Sequence, residues 1–398
     1  MGSIVISKTM NRVFFLLILF TLGTAEADAQ LAGKVGDDAS RYNSLIAAVP
    51  FLRITPGARI AGMGNAGVAV GADGHSAAIN AATMAYLPEG STGVAVTYSP
   101  WLRNAVPDMS LSYLSGYHNL DGRNTIGASL RYFSMGTVNL TDDNSLELGT
   151  AHPTEFAADI TYARSFGKEF ALGGSIRFIN SNLFTGLVGS GVQAESGKAL
   201  AVDISGIYRT AVTMFGSEAD WSLGANISNI GTKMSYSNAG KKYFLPTDLK
   251  LGTAITFIGN ESKLTLALDL NKLLIPTQPV YSPSGEILKG ENPDRSVPAG
   301  IFGSFSDAPG GFNEEVREIG VSTGMELQYK DMAVFRAGYN YQDPLKGEGS
   351  YFTLGAGLRY QSYGFDVAYL ATSGRNNPLS NTLRFGLIVN FLPRNRNL

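Results

Sequence analysis

The chain has no cysteine, and only 16% of its 398 residues are charged. The first absence removes disulfides, thiolate metal sites, thiol nucleophiles and a lipid-anchored N-terminal cysteine together. The second argues against a large soluble protein, whose surface carries more Asp, Glu, Lys and Arg. The formal net charge of -2 leaves no basic footprint for nucleic acid. Only three histidines occur, His75, His118 and His152, without ligand spacing or a paired carboxylate. No G-x-S-x-G elbow is present, and no Ser/His/Asp-type set can be assembled. The chain is therefore read as a non-enzyme that needs no metal or cofactor. It also lacks any uninterrupted apolar run near the ~20 residues of a membrane-crossing helix.

What remains is organised around an N-terminal leader and a period of two. Lys8 and Arg12 precede a short apolar run from Val13 to Phe20, and Ala27-Asp28-Ala29 supplies an A-x-A cleavage site. Residues 1–29 are thus read as a signal peptide cleaved after Ala29; the run is too short for an anchor. With no spanning helix, only a closed barrel can hold the mature chain in a membrane.

From Ser91 onward apolar residues alternate with polar or small ones, as in Leu264, Leu266, Leu268 and Leu270 against Thr265, Ala267, Asp269 and Asn271. Fourteen such segments are predicted, near 91–99, 108–119, 124–135, 154–166, 170–182, 198–212, 219–230, 246–258, 263–273, 316–329, 332–342, 350–361, 363–372 and 381–391. Their lengths suit tilted transmembrane strands. Short turns at 120–123, 167–169, 259–262, 330–331 and 362 alternate with long connections at 136–153, 183–197, 231–245 and 274–315. That is the rhythm of periplasmic turns and external loops. The face opposite the apolar one carries charges of both signs, among them Arg131, Asp159, Arg177, Asp203, Asp269, Glu326, Arg336, Asp366 and Arg384. A soluble β-sandwich also alternates, but it does not explain fatty faces on nearly every segment. The expected fold is all-β: a transmembrane antiparallel barrel of fourteen strands over 91–392, with a short tail at 393–398.

Residues 30–90 lack that pattern. Ala61–Ala85 is rich in Gly and Ala. Gly62, Gly64 and Gly67 fit G-x-G-x-x-G, but no βαβ unit surrounds them, so nucleotide binding is set aside. A plug segment packed inside the lumen is the better reading, because a barrel this wide cannot be filled by its own side chains. At the other end, Arg384-x-Gly386-x-x-Val389-x-Phe391 fits the polar-x-Gly-x-x-apolar-x-aromatic signal read by barrel-insertion machinery.

Several longer words sharpen this picture: AVPFLRITPGAR from Ala48, GMGNAG from Gly62, YSPWLR from Tyr98, SLRYFS from Ser129, NISNIG from Asn226, FLPTDLKLG from Phe244 and LDLNKLLIPT from Leu268. In this order they resemble the PorV/PorQ family of type IX secretion system outer-membrane proteins of Bacteroidota, within the FadL-like superfamily. One departure is Asn80-Ala81-Ala82, where the superfamily usually has Asn-Pro-Ala. The resemblance implies an outer-membrane protein that binds secreted cargo through its C-terminal signal domain. It would carry that cargo from the translocon barrel (SprA/Sov) to the sortase PorU and the attachment complex, among outer-membrane lipid and lipopolysaccharide. The alternative is FadL-like uptake of long-chain fatty acids or other hydrophobic small molecules. Partner contacts are expected on outer loops, at Trp101, Leu102 and Arg103, and at Tyr281, Ile287, Phe302, Phe305 and Phe312.

Overall fold

The computed structural model describes residues 45–102, 106, 108–141, 147–183, 186–188, 192–237, 240–347, 349–372 and 382–391. The leader with Ala27 and Ala29, the tail 393–398 and Arg103 lie outside them. In chain order the strands are β1 (Thr92–Pro100), β2 (Met109–Asn119), β3 (Asn124–Met135), β4 (Val138–Thr141), β5 (Glu147–Ala151), β6 (Thr154–Ser165) and β7 (Phe170–Asn182). Then come β8 (Gly186–Val188), β9 (Val192–Ala194), β10 (Gly197–Met214), β11 (Ser217–Gly231), β12 (Asp248–Ile258), β13 (Ser262–Leu273), β14 (Val280–Tyr281) and β15 (Ile287–Lys289). The last are β16 (Ile319–Tyr329), β17 (Ala333–Tyr341), β18 (Tyr351–Tyr360), β19 (Tyr363–Thr372) and β20 (Thr382–Phe391).

Fourteen of these form one closed barrel in the order β1-β2-β3-β6-β7-β10-β11-β12-β13-β16-β17-β18-β19-β20. Every neighbour is antiparallel, and β20 closes on β1 with Thr97 opposite Gly386 and Thr92 opposite Phe391. Closure leaves no strand edge unpaired, which hydrocarbon requires. The remaining pairs, β4-β5, β8-β9 and β14-β15, are small hairpins within the long connections. Sequence periodicity alone assigns those stretches to loops.

The alternation sorts side chains as the sequence pattern requires. Outward positions such as Ile160, Ile176, Leu200, Phe335, Leu354 and Leu358 are exposed, while Arg131, Asp159, Arg177, Asp203, Glu326, Arg336, Asp366 and Arg384 are buried inside. On β13, Leu268 and Leu270 are exposed and Asp269 is buried, as expected. Leu264 differs. It shares the outward parity, yet it is buried, flanked in register by Phe257 and Leu327.

The inward charges pair across neighbouring strands. Arg177 bridges Asp159 on β6 and Asp203 on β10. A register shift between Val202 and Ile204 accompanies Asn229, at φ 60°, whose N–H donates to Asp203 at 2.7 Å and whose side-chain oxygen accepts from Arg177. Such a bulge re-aims a side chain that a regular ladder would point elsewhere. A second set links Glu326, Arg336, Asp366 and Arg359 at 2.7–2.9 Å. Pairing lets these ions survive out of water, where a lone one would be costly.

Residues 45–90 occupy the lumen between these sets. They hold short helices, at Pro50–Arg53, Ala58–Ala61, Ser76–Ala78 and Ala81–Tyr86, joined by turns. Arg59 reaches Glu326 with two bonds of 2.9 and 2.7 Å. The N–H groups of Gly67 and Val68 donate to Asp269 at 2.7 and 2.9 Å. Arg131 donates to the Leu52 carbonyl at 2.7 Å, and Phe51 stacks on Phe133 with ring centroids 6.1 Å apart. At the departure from the usual Asn-Pro-Ala, Asn80 caps the following helix by accepting from Ala82 N–H at 3.0 Å, and its amide donates to the Val68 carbonyl at 2.6 Å. Asn alone thus supplies the turn. His75 is buried against Thr97 Oγ1 at 2.7 Å, and burial holds its imidazole below the ordinary range.

Glycine sets how closely plug and wall approach. A Cβ at Gly338 of β17 would lie 2.2 Å from the Gly64 nitrogen, and one at Gly64, itself at φ +66°, would lie 2.5 Å from Tyr339 N. Gly338→Val therefore lifts the plug from the wall without breaking a ladder bond. The expected outcome is a barrel that keeps heat-modifiable migration on gels but gains ion conductance in planar bilayers. Conductance equal to the parent would mean that this contact does not seat the plug. Phe391→Ala, on the closing strand, should lower the amount of barrel inserted in the outer membrane. Unchanged insertion, scored by the same gel shift, would remove the assembly signal from β20.

Candidate functional site

Both barrel termini lie at the end with short turns, so the long connections share the opposite end. Among them 274–318, between β13 and β16, is the longest, and it is built rather than trailing. Thr277 pairs with Leu45 of the plug in an isolated bridge, and Leu274 and Ile275 are buried beneath it. Ser296 caps a helix Val297–Gly303, with proline in its first turn, by accepting from Ala299 N–H. Gly300 packs on Phe244 and Pro276. A second helix, Phe312–Arg317, carries Glu314 and Glu315 in its first turn, where its backbone N–H groups favour negative charge.

That second helix ends in an ionic cluster. Lys272 Nζ meets Glu315 at 2.9 Å and Glu318 at 2.7 Å. Lys346, from the β17–β18 connection, meets Glu318 at 3.0 Å and also pairs with Glu314. Thr277 Oγ1 donates to Glu318 at 2.7 Å. Arg317 reaches Asp343 at 3.2 Å, and Arg295 pairs with Asp307 inside the loop. Glu314, Glu315, Glu318 and Lys272 are all buried. Their mutual bonding fixes the second helix to β13, to Thr277 and to the β17–β18 connection over the rim.

The pinned loop displays its aromatics. Phe302 is 78% exposed, Phe312 81% and Phe305 50%; Tyr281 and Ile287 are exposed as well. Leu288 and Val316 add to this surface and were missed in the sequence reading. Val316 follows Phe312 at i+4, a spacing that puts both on one helix face; knowing that 312–317 is a helix would have revealed it.

Trp101 requires a correction. It is not displayed on an outer loop but buried at the lumen mouth, with the Arg384 guanidinium 5.2 Å from its ring centroid. Its backbone N–H donates to the Met109 carbonyl at 2.9 Å. Leu102, at φ 47°, packs part-buried against the same cluster as Phe51, Leu111 and Phe133. Arg384 is likewise committed, for it donates to the Thr55 carbonyl of the plug. Of the closing-strand positions, Gly386 faces inward beside Ala58, while Val389 and Phe391 have outward parity, with Phe391 exposed.

Lys272→Met tests the pinning. It leaves Glu315 and Glu318 buried with part of their countercharge gone, and breaking such a pair costs about 3–5 kcal/mol. The loop should become a protease-sensitive segment on intact cells while the barrel stays folded. Protection equal to the parent would show that the cluster does not hold it.

The profile described as "Type IX secretion system protein PorV" matches residues 37–280, more than half of the chain. No curated protein sequence matches. Among solved structures, the Pseudomonas putida toluene transporter TodX is 12% identical, with 84% of this chain and 96% of that chain covered and a TM-score of 0.48. The Ralstonia pickettii toluene transporter TbuX is 11% identical, over 85% and 97%, with a TM-score of 0.45. A Pseudomonas aeruginosa FadL homologue is 11% identical, over 85% and 98%, with a TM-score of 0.44. On the profile match and the closed barrel, this chain belongs to the PorV family of type IX secretion system proteins and is an outer-membrane component of that system.

Proposed function

We propose that this barrel is a membrane-held docking protein: it receives secreted cargo by the C-terminal signal domain at its outer loops and hands it from the translocon barrel to the sortase and attachment complex. The observation that carries this reading is the pinned loop 274–318, which holds Phe302, Phe305 and Phe312 in water instead of the core. Exposed aromatics on an ordered support lose little entropy on binding and make strong contact centres. Chemistry on the cargo falls to the sortase; the barrel contributes position. Signal-peptide removal after Ala29 precedes insertion in this scheme, and the translocon barrel, sortase and lipopolysaccharide of the outer membrane are its neighbours.

The lumen supports the same division of labour. Solute uptake needs a path, and here the plug is bonded to many of the wall strands. The openings beside it are bordered by ions, including Arg59, Glu326, Arg336 and Arg359, which suit an alkyl chain poorly.

The test replaces the three phenylalanines with serine. Since all are at least half exposed, Phe302→Ser, Phe305→Ser and Phe312→Ser together should leave barrel levels unchanged. Release and signal cleavage of a tagged cargo should fall at least tenfold, the loss of about 1.4 kcal/mol of binding. Cargo maturing at the parent rate would exclude this surface. A fall confined to fatty-acid uptake would replace docking with transport.

A further inference from the structure

The plug crosses the lumen once, from the outer mouth to the end with short turns. At its last residues the Gly90 N–H donates to the Asn119 carbonyl at 3.1 Å, where β2 ends. At its first residues Leu45 bridges Thr277, and the Ala48 N–H donates to the Phe244 carbonyl at 2.8 Å. Thr277 and Phe244 both belong to long outer connections. The described chain begins at Leu45, so residues 30–44 join the molecule on its outer side. The cavity at the outer mouth, about 60 Å³ between Arg53, Trp101 and Asn271, is too small to take those fifteen residues back into the lumen.

That junction lies beside the exposed aromatics. Leu45 and Ala47 pack with Phe244, Leu273, Ile275 and Val297. Val297 opens the helix that carries Phe302, which sits about 8 Å further along the helix axis. Phe305 follows in the next turn, and both rings are exposed, as is Ile46 at the junction itself. On the other side of the junction are cations. The Lys233 ammonium is 4.5 Å from the Phe244 ring centroid, and Lys241 and Lys242 are exposed in the same connection. Residues 30–44 hold groups of matching kind: Leu31, Val35 and Tyr42 are apolar, and Asp37 and Asp38 are adjacent carboxylates. Fully extended, the segment spans about 50 Å, and Tyr42 lies within about 10 Å of Leu45.

We infer that residues 30–44 fold back as a strap over the outer face of 274–318, with Tyr42 against Phe302 and Phe305, and with Asp37 and Asp38 beside Lys241 and Lys242. Rings held in water gain by burial. A tethered segment meets them at an effective concentration on the order of millimolar, so weak contacts suffice to cover them. The cover is also reversible, because each contact is small. A partner that binds the same rings must displace the strap first, which screens the face against casual apolar contacts. That the covered face is the one that receives cargo rests on the proposed function; the cover itself does not.

The chain has no cysteine, so introduced ones report without background. Ser306 is exposed and follows Phe305 directly. Full-length protein carrying Ser40→Cys and Ser306→Cys is treated with a short bismaleimide, on intact cells and after purification in detergent. A cross-link within one chain should form in both. Tyr42→Ser, Asp37→Ser and Asp38→Ser together should slow it about tenfold, as for the loss of about 1.4 kcal/mol of contact, while the barrel keeps its gel shift. Failure to cross-link, or labelling of Ser40→Cys only after cell lysis, would overturn the strap. An unchanged rate in the triple variant would reduce it to a loose tether and overturn it as well. A link between two chains would assign the face to a second copy instead. Binding of a purified cargo signal domain is measured in parallel, with and without residues 34–44. Removing them should tighten binding about tenfold; equal binding would show that the segment does not cover this face. A protein that cross-links but binds no cargo in either form refutes the docking function alone, whereas normal cargo binding without any cross-link refutes the strap alone.

Discussion

Hydrocarbon offers no hydrogen-bond partner to a peptide group, so a chain that crosses it by strands must close its ladder completely. Everything else in this protein follows from the β1–β20 seam, where the ends of the wall meet. Closure fixes an even strand number, places both wall termini at one end and sends each long connection to the other. It also inverts the usual core. Apolar side chains face out to lipid and ions face in, so the interior must be stabilised by pairing and hydrogen bonding more than by oil-like packing.

The plug answers that inverted interior. Its segment has too little periodic structure to fold by its own hydrophobic burial, and its helices run only three to six residues. Shape comes instead from bonds to the wall: Asp269 on two consecutive N–H groups, Thr353 bonded to Gly62 and Gly64, Glu326 clasping Arg59. The glycines read in the sequence as freedom for tight packing therefore have a more definite role. They occur on both sides of the contact, Gly64 in the plug and Gly338 in the wall, because backbone meets backbone there. Gly62 and Gly64 of the G-x-G-x-x-G spacing serve this approach, at Gly355 and Tyr339 of the wall, while Gly67 makes room for Ile60 within the plug.

Strand positions were legible because each obeys a local rule, period two, and the observed ends fall within a few residues of those predicted, as for 154–166 against Thr154–Ser165. What was not legible depends on partners distant in sequence. Leu264 has outward parity but is shielded by its cross-strand neighbours. Trp101 looks like a loop anchor in YSPWLR, yet Arg384, nearly three hundred residues away, draws it into the mouth. The bulge at Asn229 leaves no mark in the alternation, since a single extra residue is invisible to a pattern read one strand at a time. The loop helices were missed for a different reason: each is under three turns, shorter than a hydrophobic stripe needs to declare itself.

The same physics governs the elements at the outer rim and in the lumen. A rigid outer loop and a bonded plug are both held by ions, but in different surroundings. Around Glu318 the partners come from β13, from the loop itself and from the β17–β18 connection, so three segments must be in place before any of them is satisfied. Such a cluster gives way as a unit, because removing one member leaves the rest buried without countercharge. The plug is constrained similarly: sliding it by one residue would separate Arg59 from Glu326 and Gly67 from Asp269 together. Neither element therefore yields gradually to a weak pull. On the proposed docking function, a partner engages the surface already presented by the phenylalanines of 274–318, and recognition there is a matter of preformed shape instead of an opening channel.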